Sequence, residues 1–232
     1  MRRVFLIAII NLFIYNSCKY PEMDLNELIY ENDFEDENMD EIDGGGISYF
    51  NETNVIGDFN NDGFNLNLND IGEHDYITIS FDLYIHGSWD GNTNRFPEND
   101  KADKWNIEFN YGVDYLNDSS IDFFSTTFSN SPCFSNYCLK QSYPESYPYE
   151  NTPKSSAFKT DLEKICFSNP RFGGPSTTLY KVEKTFRSGG NSVLIRFYDE
   201  LYQPNAISQG VQYFKCDESW SMDNIKIRKI KI

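Results

Sequence analysis

Apolar side chains fall on every odd position of Ile77-Thr78-Ile79-Ser80-Phe81-Asp82-Leu83-Tyr84-Ile85, with polar ones at 78, 80 and 82. Successive side chains of a strand point to opposite faces, so this period of two predicts a half-buried strand. The same period recurs in Phe64 to Leu68, Trp105 to Tyr111, Val193 to Phe197 and Met222 to Ile227. No stretch keeps a helical stripe, although Phe158 to Ile165 offers a short turn of one. Many strands separated by Gly and Asn turns predict an all-β fold, an antiparallel β-sandwich of the jelly-roll kind. Residues 131–176 break the pattern: six of the 9 Pro fall there, beside Tyr143, Tyr147 and Tyr149, which predicts a long surface excursion.

The amino end follows a different rule. Met1-Arg2-Arg3 opens an apolar run from Val4 to Ile14 that is too short for a permanent membrane helix but suits a signal peptide over 1–17. It ends in Tyr15-Asn16-Ser17-Cys18, which resembles a bacterial lipoprotein signal, with Tyr15 in place of the usual Leu or Val. The resemblance implies that Cys18 becomes the lipidated amino terminus, tethering a domain to the membrane of the cell envelope. An acidic tether over 18–27 then leads into one sandwich domain over 28–232.

Charge and cysteines refine this picture. The net charge of −16 excludes a nucleic-acid partner of the ordinary basic kind. Residues 22–43 hold eleven acids and no base, a pattern that reads as a solvated tether or as a first strand, Leu28 to Glu35, leading into a calcium corner. An aromatic content of 16% supplies a core and rules out a disordered acidic chain. Apart from Cys18 the chain has Cys133, Cys138, Cys166 and Cys216, with three possible pairings. We expect Cys133 with Cys138 as a small local loop and Cys166 with Cys216 as the longer staple; the rival, a four-Cys zinc site, usually has close pairs on both sides, whereas Cys166 and Cys216 are far apart.

Several segments together resemble a little-characterised module of secreted bacterial proteins. They are Phe81-Asp82-Leu83-Tyr84-Ile85 followed by Ser88-Trp89-Asp90-Gly91, and Asp217-Glu218-Ser219-Trp220-Ser221-Met222-Asp223-Asn224. The opening Asn32-Asp33-Phe34-Glu35 and the closing Met222 to Ile227 look like the first and last strands of galactose-binding-like jelly rolls, a fold used by many carbohydrate-binding modules. A concanavalin-like sandwich fits the same pattern. The resemblance implies a structural calcium where the first and last strands meet, held by Glu35 and Asp223 and completed by Asp33 or Asp217.

The remaining candidates come from residue chemistry. Trp89, Asp90 and Asn92 at the end of a strong strand, with Trp105 opening the next, match sugar recognition, in which an indole stacks on a pyranose while polar groups bind hydroxyls. If instead Trp89 and Trp105 are core, Asp90-Gly91 is only a turn. Asp58-Phe59-Asn60-Asn61-Asp62-Gly63 opens like a calcium loop, but Asn69 stands where its last acid belongs, so we read Asn61-Asp62-Gly63 as a hairpin turn. Glu31, Asp33 and Glu35 alternate like the catalytic strand of laminarinase-like glycoside hydrolases, whose carboxyls flank the scissile bond. Against that, Asn32 replaces an aliphatic residue and the motif lies early in the chain. His74 and His86 read as polar surface residues, and neither a G-x-S-x-G elbow nor a phosphate-binding Gly loop is present. The expectation is an exported, lipid-anchored, non-catalytic module that binds a glycan. A structural or adhesive protein that binds a surface protein through the 131–176 excursion is the alternative.

Overall fold

The computed structural model describes residues 25–92, 101–111, 121–131, 133, 137–166, 176–203 and 211–232. Twelve strands and one short helix are found among them. The first six strands are β1 (Leu25–Asn32), β2 (Ile42–Asp43), β3 (Ile47–Phe50), β4 (Thr53–Phe59), β5 (Gly63–Asn69) and β6 (Tyr76–Gly87). The rest are β7 (Lys104–Tyr111), β8 (Ile121–Thr127), β9 (Lys159–Leu162), β10 (Thr177–Arg187), β11 (Ser192–Glu200), α1 (Val211–Asp217) and β12 (Glu218–Lys231). A seven-stranded sheet runs β3-β4-β12-β6-β10-β9, with β1 also paired to β12, and a five-stranded sheet runs β2-β5-β11-β7-β8. All pairings are antiparallel. The chain is therefore an antiparallel β-sandwich, as the alternation predicts.

The periods of two become the core. Ile77, Ile79, Phe81, Leu83 and Ile85 of β6 are buried against Trp105, Ile107 and Phe109 of β7 and Val193, Ile195 and Phe197 of β11. On β12 the inward residues are Trp220 and Met222, then Ile225 and Ile227, so the parity inverts between them. A bulge at Asp223–Lys226, with Asn224 at a φ of 54°, absorbs the extra residue and keeps both halves facing the core.

β12 is the spine of its sheet. β6 pairs along it on one side, while β4 and β1 share the other: Trp220 to Met222 with β4, Ile225 to Lys231 with β1. Leu25–Glu27, which the charge pattern assigns to the tether, are already strand, paired opposite Lys231, Ile230 and Lys229. The acids of β1 face the bases of β12, with Glu31–Lys226 at 2.5 Å and Glu27–Lys229 at 3.1 Å. Part of the acidic tract thus complements a basic strand across one ladder.

Two other expectations change. Asn61-Asp62-Gly63 is not a hairpin turn: β4 and β5 lie in different sheets, so it is a corner between layers. The positive φ falls on Asn61, at 49°. Gly63 is required by space, since a Cβ there would lie 1.9 Å from the Phe197 carbonyl oxygen. The 131–176 excursion is not confined to the surface either. Gln141, Ser142 and Tyr143 are buried, and the Tyr143 ring packs 5.0 Å from Phe128 and 5.2 Å from Tyr180. Gln141 holds the segment down, accepting from the backbone N–H of Ser129 and Lys154 and donating to the carbonyls of Tyr143 and Ser155. Both expected disulfides form, Cys133–Cys138 and Cys166–Cys216.

Both histidines are buried rather than at the surface. His74 sits between the Gly72 carbonyl and the Ser188 hydroxyl. His86 sits between the hydroxyls of Thr177 (2.8 Å) and Ser221 (2.9 Å), beneath the Phe50 ring. Burial pushes the His86 pKa down to about 3 from its ordinary 6.5. The unfolded chain therefore binds a proton that folded His86 refuses. Its contribution to stability is complete above pH 6.5 and is lost as pH falls toward 3, at about 1.4 kcal/mol per pH unit. The stability difference between the wild type and His86→Gln, from urea melts at pH 7, 6 and 5, should shrink as pH falls, by about half that slope from pH 7 to 6 and nearly the full slope from pH 6 to 5. A constant difference would mean that His86 charges freely in the fold.

Candidate functional site

One end of the sandwich concentrates carboxylates. Asp103 precedes β7 in the same inward frame as Trp105, Asp199 is the next-to-last residue of β11 in the frame of Phe197, and Glu218 opens β12 in the frame of Trp220. Each is nearly fully buried. Asp90 follows β6 in a turn fixed by two glycines. A Cβ on Gly87 would meet the Asp217 carbonyl oxygen at 1.9 Å, and one on Gly91 the Lys140 carbonyl oxygen at 2.1 Å. The chain thus passes through gaps that only glycine fits, which sets Asp90 beside Asp103 and Glu218. One carboxylate oxygen from each of Asp90, Asp103 and Glu218 lies within 4.8 Å of the others, so the trio could hold a metal ion.

The three acids are partnered unequally. Asp103 accepts the backbone N–H groups of Asp90 (2.8 Å) and Tyr202 (3.1 Å). Asp90 accepts the Ser131 hydroxyl at 3.1 Å. Glu218 is 3% exposed, and its Oε2 has no hydrogen-bond partner among the described residues. Burial, added to by Asp90 and Asp217, pushes the Asp103 carboxyl up to about 7. Burial and the surrounding acids, Asp103 first, raise Glu218 well above the carboxylate range. Asp199 is better served. It accepts the Trp220 indole N–H at 2.7 Å and the corner N–H groups of Asn61 and Asp62 at 2.6 and 3.2 Å, and burial still raises its pKa to about 6.

The residues expected to bind sugar are placed otherwise. Trp89 and Trp105 are both fully buried, which removes their faces from any ligand. Trp89 donates to the Ser219 carbonyl at 3.0 Å and meets Phe128 edge to face, while Trp105 packs among Phe81, Phe128, Phe197 and Trp220. Asn92 is also buried. It accepts the hydroxyls of Thr127 and Ser142 and donates to the Tyr149 carbonyl, so it ties the excursion to the sheet. Of that group only Asp90 reaches a candidate site, and the site is a cluster of acids.

The expected calcium set divides. Glu35 and Asp223 do meet: the Thr53 hydroxyl lies 2.5 Å from Glu35 Oε1 and 3.3 Å from Asp223 Oδ2. Burial, with Asp82 and Glu35 nearby, raises Asp223 to about 6. Asp33 instead accepts the Glu35 backbone N–H. Asp217 accepts the Ser88 hydroxyl at the other end of β12 and cannot complete a shell there. The laminarinase-like strand is not formed. β1 ends at Asn32, Phe34 takes a φ of 58°, and Asp33 and Glu35 lie in the turn beyond, while Glu31 pairs with Lys226.

The outer face of the five-stranded sheet has a different chemistry. A lateral row crosses four strands, Asn65, Arg196, Glu108 and Phe123, each directly opposite the next. Phe123 is 54% exposed, Arg196 lies 4.0 Å from Glu108, and the guanidinium sits 4.4 Å from the Tyr198 ring centre. Asn67 and Asn110 flank Leu194 in the adjoining row.

No protein-family model matches the chain, and no curated protein sequence matches it. Among solved structures, the chain is similar to a family GH115 4-O-methyl-alpha-glucuronidase with specificity for decorated arabinogalactans, at a TM-score of 0.36 and 9% identity. The match covers 87% of this chain and 17% of that one, so the chain spans about a sixth of the enzyme's length. The chain is a disulfide-bonded antiparallel β-sandwich. Its two disulfides fit an oxidising environment. Among the described residues no helix is long and apolar enough to cross a membrane. The expected signal peptide, the expected lipidation at Cys18 and most of the expected tether fall on residues outside the described ones.

Proposed function

We propose that this protein is an exported, lipid-anchored, non-catalytic module that binds a glycan on the outer face of its five-stranded sheet. The supporting observation is the Asn65–Arg196–Glu108–Phe123 row, which sets an exposed aromatic ring in line with a guanidinium, a carboxylate and an amide on one face of the sheet. Sugar recognition combines these groups: the ring covers the C–H face of a pyranose while the polar groups bind its hydroxyls. A carboxylate and a guanidinium side by side serve both hydroxyl donors and acceptors. Phe123→Ala should weaken retention in affinity electrophoresis across a panel of neutral and acidic polysaccharides about tenfold or more, equivalent to about 1.4 kcal/mol. An exposed side chain contributes little to folding, so stability should stay within about 0.5 kcal/mol. Failure of every polysaccharide to retain the wild type, or equal retention of the variant, would reject the reading.

A protein partner has one observation in its favour. Tyr137, Tyr147, Tyr149 and Phe158, all within the excursion, are exposed. Exposed aromatics in one segment suit a protein interface. Binding of a surface protein that is lost on Tyr149→Ala and kept in Phe123→Ala would favour this reading over the glycan.

A further inference from the structure

Three separate constraints bring the half-buried Asp90 together with the buried Asp103 and Glu218. Gly87 and Gly91 position the Asp90 turn, the backbone N–H groups of Asp90 and Tyr202 orient Asp103, and the start of β12 carries Glu218 inward. No Lys or Arg among the described residues forms an ion pair with Asp103 or Glu218. A buried carboxylate is ordinarily paired, coordinated to a metal, or protonated. Glu218, whose buried Oε2 has no hydrogen-bond partner among the described residues, is one of the three acids that bring a carboxylate oxygen each to within 4.8 Å of the others.

We infer that Asp90, Asp103 and Glu218 bind one calcium ion that joins the end of β6, the start of β7 and the start of β12. The donors are all carboxylate oxygens, with no His or Cys in the group, which selects a hard cation over zinc or copper. Magnesium demands a near-ideal octahedron and gives up its waters reluctantly, whereas calcium accepts the irregular geometry and mixed mono- and bidentate carboxylates of a buried cluster. This centre is separate from the Glu35–Asp223 pair, which lies further along β12. It is independent of the glycan reading, because ion uptake is measured with no polysaccharide present.

The test uses purified protein stripped with a chelator and titrated with calcium, and in parallel with terbium, whose emission a nearby indole sensitises. Trp89 adjoins Asp90 in sequence and supplies that indole. The expected result is one calcium per chain, a melting temperature raised by several degrees in saturating calcium, and terbium emission on exciting tryptophan. Glu218→Gln should weaken uptake about a hundredfold or more. In chelator it should melt no lower than the wild type, because the amide keeps the size of the side chain and carries no charge into the buried site. Asp223→Asn should keep the full response. Absence of calcium uptake by the wild type would overturn the inference, as would uptake that survives Glu218→Gln. Uptake lost in Asp223→Asn but retained in Glu218→Gln would move the ion to the Glu35 corner and overturn it equally.

Discussion

Replacing Trp89 by Ala is expected to destabilise the protein by about 3–5 kcal/mol, the range for removing a fully buried large aromatic side chain. The indole is completely enclosed, packs edge to face against Phe128 and donates to the Ser219 carbonyl. Alanine leaves a cavity and a carbonyl without its donor. Trp89→Phe keeps most of the volume and should cost less, dominated by the lost hydrogen bond, on the order of 1 kcal/mol. Urea melts of the two variants measure both terms. A Trp89→Ala variant as stable as the wild type would mean that the ring is free to meet a ligand.

The second large effect belongs to the Cys166–Cys216 disulfide. It closes a loop with a sequence separation of 50, for which chain entropy gives about 4 kcal/mol, whereas Cys133–Cys138, with a separation of 5, gives about 2 kcal/mol. The double variant Cys166→Ala/Cys216→Ala should therefore lower the urea midpoint about twice as far as Cys133→Ala/Cys138→Ala. The longer bridge also acts on the acids, since Cys216 lies in α1 two residues before Glu218. Equal losses from the two pairs would show that loop length does not set their contribution.

The sandwich was legible because a strand with one buried face writes that face into every second residue, as Ile77 to Ile85 do. The same rule also places three acids. Asp103, Asp199 and Glu218 share the inward parity of Trp105, Phe197 and Trp220, so the alternation alone carries them inside. A charge at an inward position is a stronger pointer to a site than a tryptophan beside an acid, because large aromatics enter cores freely while carboxylates need a partner there. Trp89 and Trp105 misled for that reason. The row on the five-stranded sheet was illegible for another: Asn65, Arg196, Glu108 and Phe123 are far apart in the chain, and only strand register aligns them. The corner at Asn61 to Gly63 looked like a hairpin because turn chemistry is local, while the choice of sheet is made by distant strands.

The pairing of the first strand with the last gives the molecule a direction. Leu25 lies opposite Lys231, whereas Glu218 begins β12 thirteen residues earlier. At about 3.3 Å per residue the two ends of that strand are roughly 40 Å apart. Whatever precedes Leu25 therefore joins the body at the pole remote from Asp90, Asp103 and Glu218. If the upstream segment is moored to a membrane, the carboxylate pole points outward, and a change made there is presented to the surroundings rather than to the lipid.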